Sequence, residues 1–450
     1  MLKTFSIGGV HPHENKLSAH QPIIKAEIPA KVAILLSQHI GAPAKPIVAK
    51  GDVVKVGTKI AEPGGFVSAA IHSSVSGKVA KIDTIVDASG YPKPAIFIDV
   101  EGDEWEESID RSDTLVKECK LSSEEIVKKI ADAGIVGMGG ACFPTQVKLC
   151  PPPAFKAECV IINAVECEPY LTADHQLMLE HAEEIMVGVT ILMKAVKVNK
   201  AFIGIENNKP DAIQLMTKVA STYAGIEVVP LKVKYPQGGE KQLIDAIIKR
   251  QVAAGALPIS TGAVVQNVGT AFAVYQAVQK NKPLFERVIT VTGKSLAKPS
   301  NFLARIGTPM KQLIEACGQD YRRRPEDGQG AGQYGCAYGQ RQFRHSDYER
   351  QGGQAWCHPA LHPLCQVCGC LPDGTGALSA GYRFGPWRFR AGGEGRHHVV
   401  HRMRLVPVHL SVQPSDARLH PFGQGQGRRD DPCTSGQEVR INHRIKEHYE

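Results

Sequence analysis

Short apolar runs broken by Gly and Pro dominate the first hundred residues. In Val48–Ile60, and again in Val67–Val79, apolar residues lead into a polar or Gly-containing turn and then into a second apolar run. This alternation is typical of β-strands joined by tight turns. We therefore predict a β-rich region over residues 1–100, followed by a charged, irregular connection from Glu101 to Lys120.

The apolar positions take a helical spacing from residue 122 onward. Ser122 and Glu125 have the spacing of a capping box, and Ile126 and Ile130 lie on one face of the helix that it opens. Beyond Asp174 predicted helices and strands alternate. They are a helix to about Val198, a strand over 201–206, a helix over 209–223, a strand over 226–233, a helix ending at Arg250 and a strand over 263–268. This order argues for a mainly parallel sheet in an α/β domain.

Composition excludes several classes of protein. The hydrophobic fraction of 43% is ordinary for a soluble chain, no apolar run is long enough to cross a bilayer, and the N-terminus lacks the apolar core of a signal peptide. The formal charge of +8 is mild for 450 residues. Because no basic stripe with interleaved aromatic residues is present, we expect no nucleic-acid partner. The expected location is the cytosol or the cytosolic face of a membrane.

A glycine-rich loop, Gly137-Met-Gly-Gly-Ala-Cys-Phe-Pro-Thr-Gln-Val-Lys148, precedes the α/β region. Its glycines leave backbone N–H groups open to an anion, and a helix expected to begin near Pro144 adds its positive end. An aromatic ring and a lysine follow, and together these groups suit a flat, phosphorylated cofactor. The residues concerned are Gly137, Gly139, Gly140, Phe143 and Lys148. The alternative is an ordinary turn, because a single glycine motif is weakly specific.

Polar residues follow the predicted strands at three further places. The strand that begins at Cys159 leads into Asn163-Ala-Val-Glu-Cys-Glu-Pro169, the segment Tyr235-Pro-Gln-Gly-Gly-Glu240 precedes a helix, and Gln266-Asn267 ends a strand. Ligands of open α/β sheets bind at the carboxyl ends of the strands. We therefore expect these loops and the glycine loop to converge on one pocket.

Four segments together resemble the flavoprotein subunit of respiratory complex I. The glycine loop resembles its FMN loop, GxGGxGFPTxxK, and the three polar loops resemble N-A-D-E-x-E-P, Y-x-x-G-E-E and N-N-V in the same order. Three N-terminal segments narrow the resemblance to the C subunit of the Rnf ion-translocating electron-transport complex. They are Gly8–Pro12, Ser37–Ala44 and Ala61–Val67. The resemblance covers residues 1 to about 318.

The resemblance implies a subunit that oxidises NADH with FMN as cofactor and passes electrons, through two [4Fe–4S] clusters, to membrane subunits and ferredoxin. It places Gly137, Gly139, Gly140 and Lys148 at the FMN phosphate and ring edge, and Asn163, Glu166, Tyr235, Gly238 and Asn267 around the flavin. It directs Phe143, Glu168 and Glu240 toward NADH. Because hydride passes directly between cofactor rings, no catalytic side chain is assigned, and no metal ligand is assigned either.

The chain departs from the complex I pattern at single positions inside these motifs. They are Met138 for an arginine, Cys142 for a glycine, Val165 for an aspartate, Gly239 for a glutamate and Gln266 for an asparagine. The glycines and lysine of the expected phosphate site are retained. The departures therefore affect the finer contacts to flavin and nucleotide.

The fold class implied is α/β multidomain. A β-rich barrel-sandwich hybrid of the biotinyl/lipoyl type, without the modified lysine, is expected over residues 1–100. A Rossmann-like α/β FMN-binding domain is expected over 120–255 and a partial β-grasp domain over 256–318. An irregular tail over 319–450 takes the place of the family's ferredoxin-like domain.

The composition changes abruptly after Gly318. Beyond it lysine occurs only at Lys446 and isoleucine not before Ile441, while arginine, glycine and glutamine abound. Where the family has two CxxCxxCxxxCP runs, this chain offers only Cys365-Gln-Val-Cys-Gly-Cys370. We favour a tail translated in a shifted reading frame, without order or iron. A zinc or cluster site at these cysteines is the alternative.

Two functions from different classes follow from the motifs. The first is that of one subunit of an ion-translocating oxidoreductase of the translocase class, peripheral on the cytoplasmic face of the inner membrane and incomplete for onward electron transfer. The second is that of a docking protein resembling the A subunit of the sodium-translocating NADH:quinone reductase, which shares the architecture without oxidising NADH. The intact glycine loop and the loop from Asn163 to Glu168 favour the first.

Overall fold

The structure is a computed structural model that describes residues 2–87 and 90–318. The tail predicted to be irregular and free of iron, residues 319–450, lies outside the described residues. The described strands are β1 (Ile23–Lys25), β2 (Lys31–Leu35), β3 (Lys45–Pro46), β4 (Val53–Val54), β5 (Lys59–Glu62), β6 (Ile71–His72), β7 (Gly77–Val86), β8 (Pro92–Val100), β9 (Cys159–Asn163), β10 (Ala201–Glu206), β11 (Ile226–Leu231), β12 (Ala263–Asn267), β13 (Glu286–Val291) and β14 (Ser300–Arg305). The described α-helices are α1 (Ser123–Asp132), α2 (Thr145–Leu149), α3 (Ala173–Glu180), α4 (Ala182–Ala195), α5 (Pro210–Ala220), α6 (Glu240–Ile248), α7 (Val268–Lys280) and α8 (Met310–Cys317).

Two small sheets make up the N-terminal β region, with strand orders β2-β8-β7-β4 and β3-β5-β6. Their pairings are antiparallel, and the apolar positions that alternate along the strands, such as Ile34, Ile60 and Ile96, are fully buried between them. Gly77 opens β7 at a φ of +148°, and a side chain there would collide with the carbonyl oxygen of Asp99. The prediction of a β-rich barrel-sandwich hybrid is confirmed.

A four-stranded parallel sheet, ordered β11-β10-β9-β12, forms the centre of the chain. Its strands are apolar on both faces because helices cover both: α4 and α7 pack on one side, and α6 packs on the other. This burial explains the near-continuous apolar runs in the sequence. The capping box at Ser122 and Glu125 is formed, as predicted, and the α1 residues Ile126 and Ile130 are buried.

The single helix predicted from Asp174 to Val198 is instead two helices, α3 and α4, that meet at His181. His181 has a φ of −129°, outside the helical region, and its imidazole contacts the carboxylate of Glu184 at 3.1 Å and the ring of Phe272. The two helices are therefore separated by the backbone conformation of this one residue. At the other end of α3, Asp174 contacts Glu166 and Asn267, which lie at or after the ends of central strands.

The third sheet has the order β1-β14-β13 and packs against α8. Strand β1 runs parallel to β14, with Ile23 opposite Asn301, so the N-terminal segment joins the last described strands. Upstream of β1, the segment also pairs with the central domain, through Lys3 with Leu231 and Val10 with Tyr235. Among the described residues, no helix combines the length and apolar character that crossing a bilayer requires.

Candidate functional site

The three polar loops meet at the carboxyl edge of the central sheet. Asn163 and Asn267 are paired in register at the ends of β9 and β12. The Asn163 amide nitrogen donates to the carbonyl oxygen of Gly238 at 2.8 Å, and the Gly238 N–H donates to the thiol sulfur of Cys167 at 3.3 Å. Hydrogen bonds therefore bring together loops that are about seventy residues apart in the sequence.

The glycine loop reaches the same edge. It is closed at its base by the Gly137 N–H, which donates to the carbonyl oxygen of Phe143 at 2.9 Å, and the Met138 N–H donates to the Thr270 hydroxyl at 2.9 Å. Gly139 lies against Asn267, so that a Cβ on Gly139 would come within 2.9 Å of the Asn267 amide nitrogen. All four predicted segments thus border one region.

The glycines of the loop leave room for a neighbouring group, and their backbone angles do not themselves require glycine. Gly137, Gly139 and Gly140 have ordinary φ values, whereas Cys142 is buried in the left-handed region at φ +52°. A Cβ on Gly140 would meet nothing within 4 Å. Helix α2 begins after Pro144, as expected, but it is only five residues long. Its contribution to anion binding is correspondingly small.

Lys148 and Glu240 form an ion pair at this site. The Lys148 ammonium donates to a Glu240 carboxylate oxygen at 2.9 Å and to the carbonyl oxygen of Val265 at 3.2 Å. Both side chains remain partly exposed. The resemblance assigned Lys148 to the phosphate and Glu240 to the nucleotide, and the structure holds the two side chains together.

Glu168 and Tyr235 form a second pair. The Tyr235 hydroxyl donates to the exposed Glu168 carboxylate at 3.0 Å. Burial raises the pKa of Tyr235, and the negative charge of Glu168 raises it further. The phenol therefore stays protonated at neutral pH and holds the carboxylate in one orientation.

Glu166 has a different contact from the one expected of a flavin ligand. Its two carboxylate oxygens accept hydrogen bonds from the backbone N–H groups of Asp174 at 2.8 Å and His175 at 3.3 Å. These N–H groups belong to the first turn of α3, which has no side-chain cap from its own N-cap residue. A carboxylate at a helix N-terminus stabilises the helix, so Glu166 positions α3 against the loop.

Sequence reasoning missed two lysines that hold the acidic loop. The Lys16 ammonium donates to the carbonyl oxygens of Glu166, Glu168 and Leu171 at 2.9, 2.9 and 2.7 Å. The buried Lys209 ammonium donates to the carbonyl oxygen of Val165 at 2.8 Å. The sequence gives no sign of either contact, because the acceptors are main-chain carbonyl groups, which every residue type has.

Asn267 is the point at which the loops connect. Its side-chain oxygen accepts the Gly269 N–H and caps α7, while its amide nitrogen donates to the Asp174 carboxylate at 2.8 Å. Burial raises the pKa of Asp174 to about 7, and the neighbouring charge of Glu166 adds to that effect. Asn267, Arg287 and Lys209 oppose it.

The raised pKa of Asp174 predicts how stability changes with pH. In the unfolded chain an aspartate has a pKa near ~3.9, so the folded state holds the proton more tightly. The stabilisation is therefore complete below pH ~4 and is lost as the pH rises through ~7. Asp174→Asn keeps an acceptor for Asn267 without the charge. The natural chain should lose stability between pH 5 and pH 8, and the variant should not. The free energy of unfolding of the variant minus that of the natural chain should therefore be about 2 kcal/mol larger at pH 8 than at pH 5.

Urea denaturation of flavin-free protein at the two pH values measures this difference. Asp132→Asn, which removes one exposed carboxylate from α1, is the control for the loss of a charge. An equal effect of Asp174→Asn at both pH values would contradict the prediction.

Gln266 tests whether this region fits a bound cofactor. It lies beside Asn267, is 2% exposed, and neither polar atom of its amide has a hydrogen-bond partner among the described residues. A buried polar group without a partner costs about 1–3 kcal/mol. The unpaired amide, the open space beside Gly140 and the cation Lys148 lie along one sheet edge, a set that fits a ligand with a polar ring and a phosphate.

Three family models match the chain. A model described as the RnfC barrel sandwich hybrid domain matches residues 3–103. A model described as the Nuo51 FMN-binding domain matches residues 130–276, and an SLBB domain model matches residues 288–318. The glycine loop and the three polar loops all fall within the second match.

Curated relatives align with the same part of the chain. The C subunit of the proton-translocating ferredoxin:NAD(+) oxidoreductase complex of Clostridium ljungdahlii is 50% identical over 326 residues, which is 71% of this chain and 69% of the relative. The Na(+)-translocating counterpart of Acetobacterium woodii is 46% identical, over 69% of this chain and 70% of the relative. The C subunit of the ion-translocating oxidoreductase complex of Rhodobacter capsulatus is 42% identical, over 70% of this chain and 62% of the relative.

Proposed function

The chain belongs to the family of Rnf complex C subunits, and from that membership we propose that NADH reduces FMN on this chain. Relatives in this family are subunits of ion-translocating ferredoxin:NAD(+) oxidoreductase complexes. The observation that carries the proposal is the junction of the glycine loop with Asn163, Gly238 and Asn267 at one sheet edge. The unpaired buried amide of Gln266, next to Asn267 in the sequence, supports the same proposal.

Each group has a role in this proposal. The open face at Gly140 and the Lys148 ammonium receive the phosphate end of FMN, and the amides of Asn163 and Asn267 face the ring. FMN, when bound, accepts a hydride from NADH and releases its electrons singly. The protein's part is to hold the two rings in register and to exclude water from them.

The nucleotide side is proposed to lie along Phe143, Glu168 and Glu240. Phe143 is half-buried, and Glu168 is exposed with its carboxylate oriented by Tyr235. An oriented carboxylate accepts hydrogen bonds from the hydroxyl groups of a ribose, as at other dinucleotide sites. Glu240 is available to a ligand when Lys148 turns to a phosphate.

Onward transfer is proposed to involve the other subunits of the complex, with ferredoxin as the redox partner. In the family pattern the electrons pass through two [4Fe–4S] clusters, and the cysteine runs that would hold them are absent from residues 319–450. We therefore propose the NADH-to-FMN half-reaction for residues 2–318 and a chain incomplete for onward transfer. A peripheral position on the cytoplasmic face of the inner membrane belongs to the same proposal.

Purified full-length chain tests the function directly. It should carry about one FMN, lose the visible absorbance of oxidised flavin on anaerobic addition of NADH, and reduce an artificial dye with NADH. A chain that binds no FMN, but associates with the membrane subunits, would instead be a docking protein.

Glu168→Ala separates the nucleotide site from the flavin site. Flavin content should be unchanged, while kcat/KM for NADH in dye reduction should fall about tenfold, or ~1.4 kcal/mol, because a charged hydrogen-bond acceptor is removed. Glu158→Ala is the matched control, since Glu158 is an exposed carboxylate paired with Arg250 at the opposite end of β9. Loss of FMN, with NADH kinetics unchanged in the remaining holoenzyme, would reverse the assignment.

A further inference from the structure

Arg287 contacts the glycine loop from outside residues 130–276, which match the FMN-binding model and carry the loop. It lies on β13, between the matches to the FMN-binding model and to the SLBB model. One of its terminal nitrogens donates to the carbonyl oxygen of Met138 at 3.0 Å. The Met138 side chain is itself buried in the main core, so this bond holds a backbone segment that is anchored on both sides.

The glycine loop is short of positive charge of its own. From Gly137 to Lys148 the only charged residue is Lys148, and that ammonium is paired with Glu240. The position that carries an arginine in the complex I pattern is Met138. The guanidinium of Arg287 thus lies at the backbone of the residue whose side chain lacks the charge.

The charge of Arg287 acts on one residue of the loop, Cys142, and on Asp174, which lies outside the loop. Burial raises the pKa of the Cys142 thiol to about 11, and Arg287 opposes that rise. Arg287 likewise opposes the raised pKa of Asp174, the carboxyl that accepts from Asn267. Cys142 follows Gly140 on the loop, and Asn267 contacts Gly139, so the guanidinium lies beside the segment proposed to hold the flavin.

We propose that Arg287 is a flavin-site residue, which clamps the glycine loop from strand β13 and supplies a fixed positive charge that favours reduced FMN. This inference rests on the proposed function. Hydride from NADH brings two electrons and one proton to the flavin and leaves NAD⁺, so the reduced ring carries one more negative charge than the oxidised ring. A guanidinium remains protonated at all relevant pH values and stabilises such a charge across a site of low dielectric constant.

A purely structural arginine would behave differently. Its loss would lower the melting temperature and the occupancy of the site, without changing the relative affinity for oxidised and reduced FMN. The reduction potential of bound FMN is therefore the discriminating measurement, and it is independent of turnover.

The experiment compares three variants of the full chain, by FMN titration and by spectroelectrochemistry of the bound flavin. Arg287→Gln should bind FMN about tenfold more weakly, and its potential should fall by about 30 mV, the equivalent of a tenfold weaker preference for the reduced form. Arg287→Lys keeps the charge but not the planar fork, so the potential should be largely restored and the affinity only in part. Arg250→Gln is the matched control, since Arg250 also donates to a backbone carbonyl, that of Thr261 at 2.7 Å.

The outcomes are distinguishable. Wild-type affinity and potential in Arg287→Gln, or a lower melting temperature alone, would overturn the inference while the proposed function stands. A natural chain that binds no FMN would overturn the proposed function and this inference with it. If Arg287→Gln does not fold, Arg287→Lys carries the test. A potential about 30 mV below that of the natural chain in this variant, which keeps the charge, would refute the role of charge.

Discussion

Gly139→Val should yield a folded protein that does not retain FMN. The nearest atoms to a Cβ at this position are the amide nitrogen and Cβ of Asn267, at 2.9 and 3.1 Å. Asn267 cannot move aside easily, because its backbone ends β12 and its side chain is held by Gly269 and Asp174. The loop itself must shift, and with it the backbone N–H groups proposed to face the phosphate.

Gly140→Val is the matched comparison, because its side chain would enter open space. It should leave the protein's stability unchanged and prevent FMN binding only by occupying the site. Gly139→Val should both lower stability, by about 1–3 kcal/mol as overpacking does, and weaken FMN binding by about a hundredfold or more. Flavin content after purification and urea denaturation of the flavin-free proteins measure the two effects. Full flavin content in both variants would exclude this loop as the site.

Local patterns predicted the elements that surround the site. The capping box at Ser122 formed because a hydroxyl and a carboxylate three residues apart satisfy each other's backbone donors, which requires no distant partner. Strand β10 was predicted at residues 201–206 because a short apolar run, bounded by polar residues and lying between two helices, is typical of a buried strand. The parallel sheet then brought the polar strand ends to one edge, as the rule for open α/β sheets requires.

Distant contacts escaped sequence reasoning for a physical reason. Lys16 binds carbonyl groups 150 or more residues away, and Arg287 binds the carbonyl of Met138, 149 residues before it. Every residue type presents the same carbonyl, so the sequence of the acceptor carries no signal. The same holds for β1, whose pairing with β14 depends on the path of the chain rather than on its three-residue sequence.

Glu166 has a structural contact that its motif does not reveal. The resemblance placed its carboxylate at the flavin, but both oxygens accept N–H groups at the start of α3. The motif had already located the residue, because Glu166 lies in the loop that borders the site. What it could not supply was that α3 begins at Ala173 without a side-chain cap from Thr172, which leaves N–H groups in its first turn for this carboxylate to accept.

The largest expected loss of stability is at Gly188, in the middle of α4. A Cβ there would lie well inside van der Waals contact of the carbonyl oxygen of Ala271 on α7, so the two helices touch backbone to backbone. Gly188→Ala has an intrinsic helix-forming gain of about 1 kcal/mol. We expect the clash to outweigh that gain and to lower the free energy of unfolding by about 3 kcal/mol, because two packed helices would have to separate.

Gly204→Ala on β10 is the control, because the three atoms nearest to its Cβ would be methyl ends of Leu231, Leu243 and Ile247, at 2.9 to 3.2 Å. Flexible side-chain ends can move by a few tenths of an ångström, so the cost there should be about 1 kcal/mol. The effect at Gly188 should extend to the site, since Asn267 caps the N-terminus of α7 and a displacement of α7 moves the amide that contacts Gly139. Gly188→Ala should therefore bind FMN more weakly than Gly204→Ala, measured by FMN titration at a temperature where both are folded. Equal stability and equal FMN affinity in the two variants would mean that α4 and α7 separate at little cost and that the helix contact does not position Asn267.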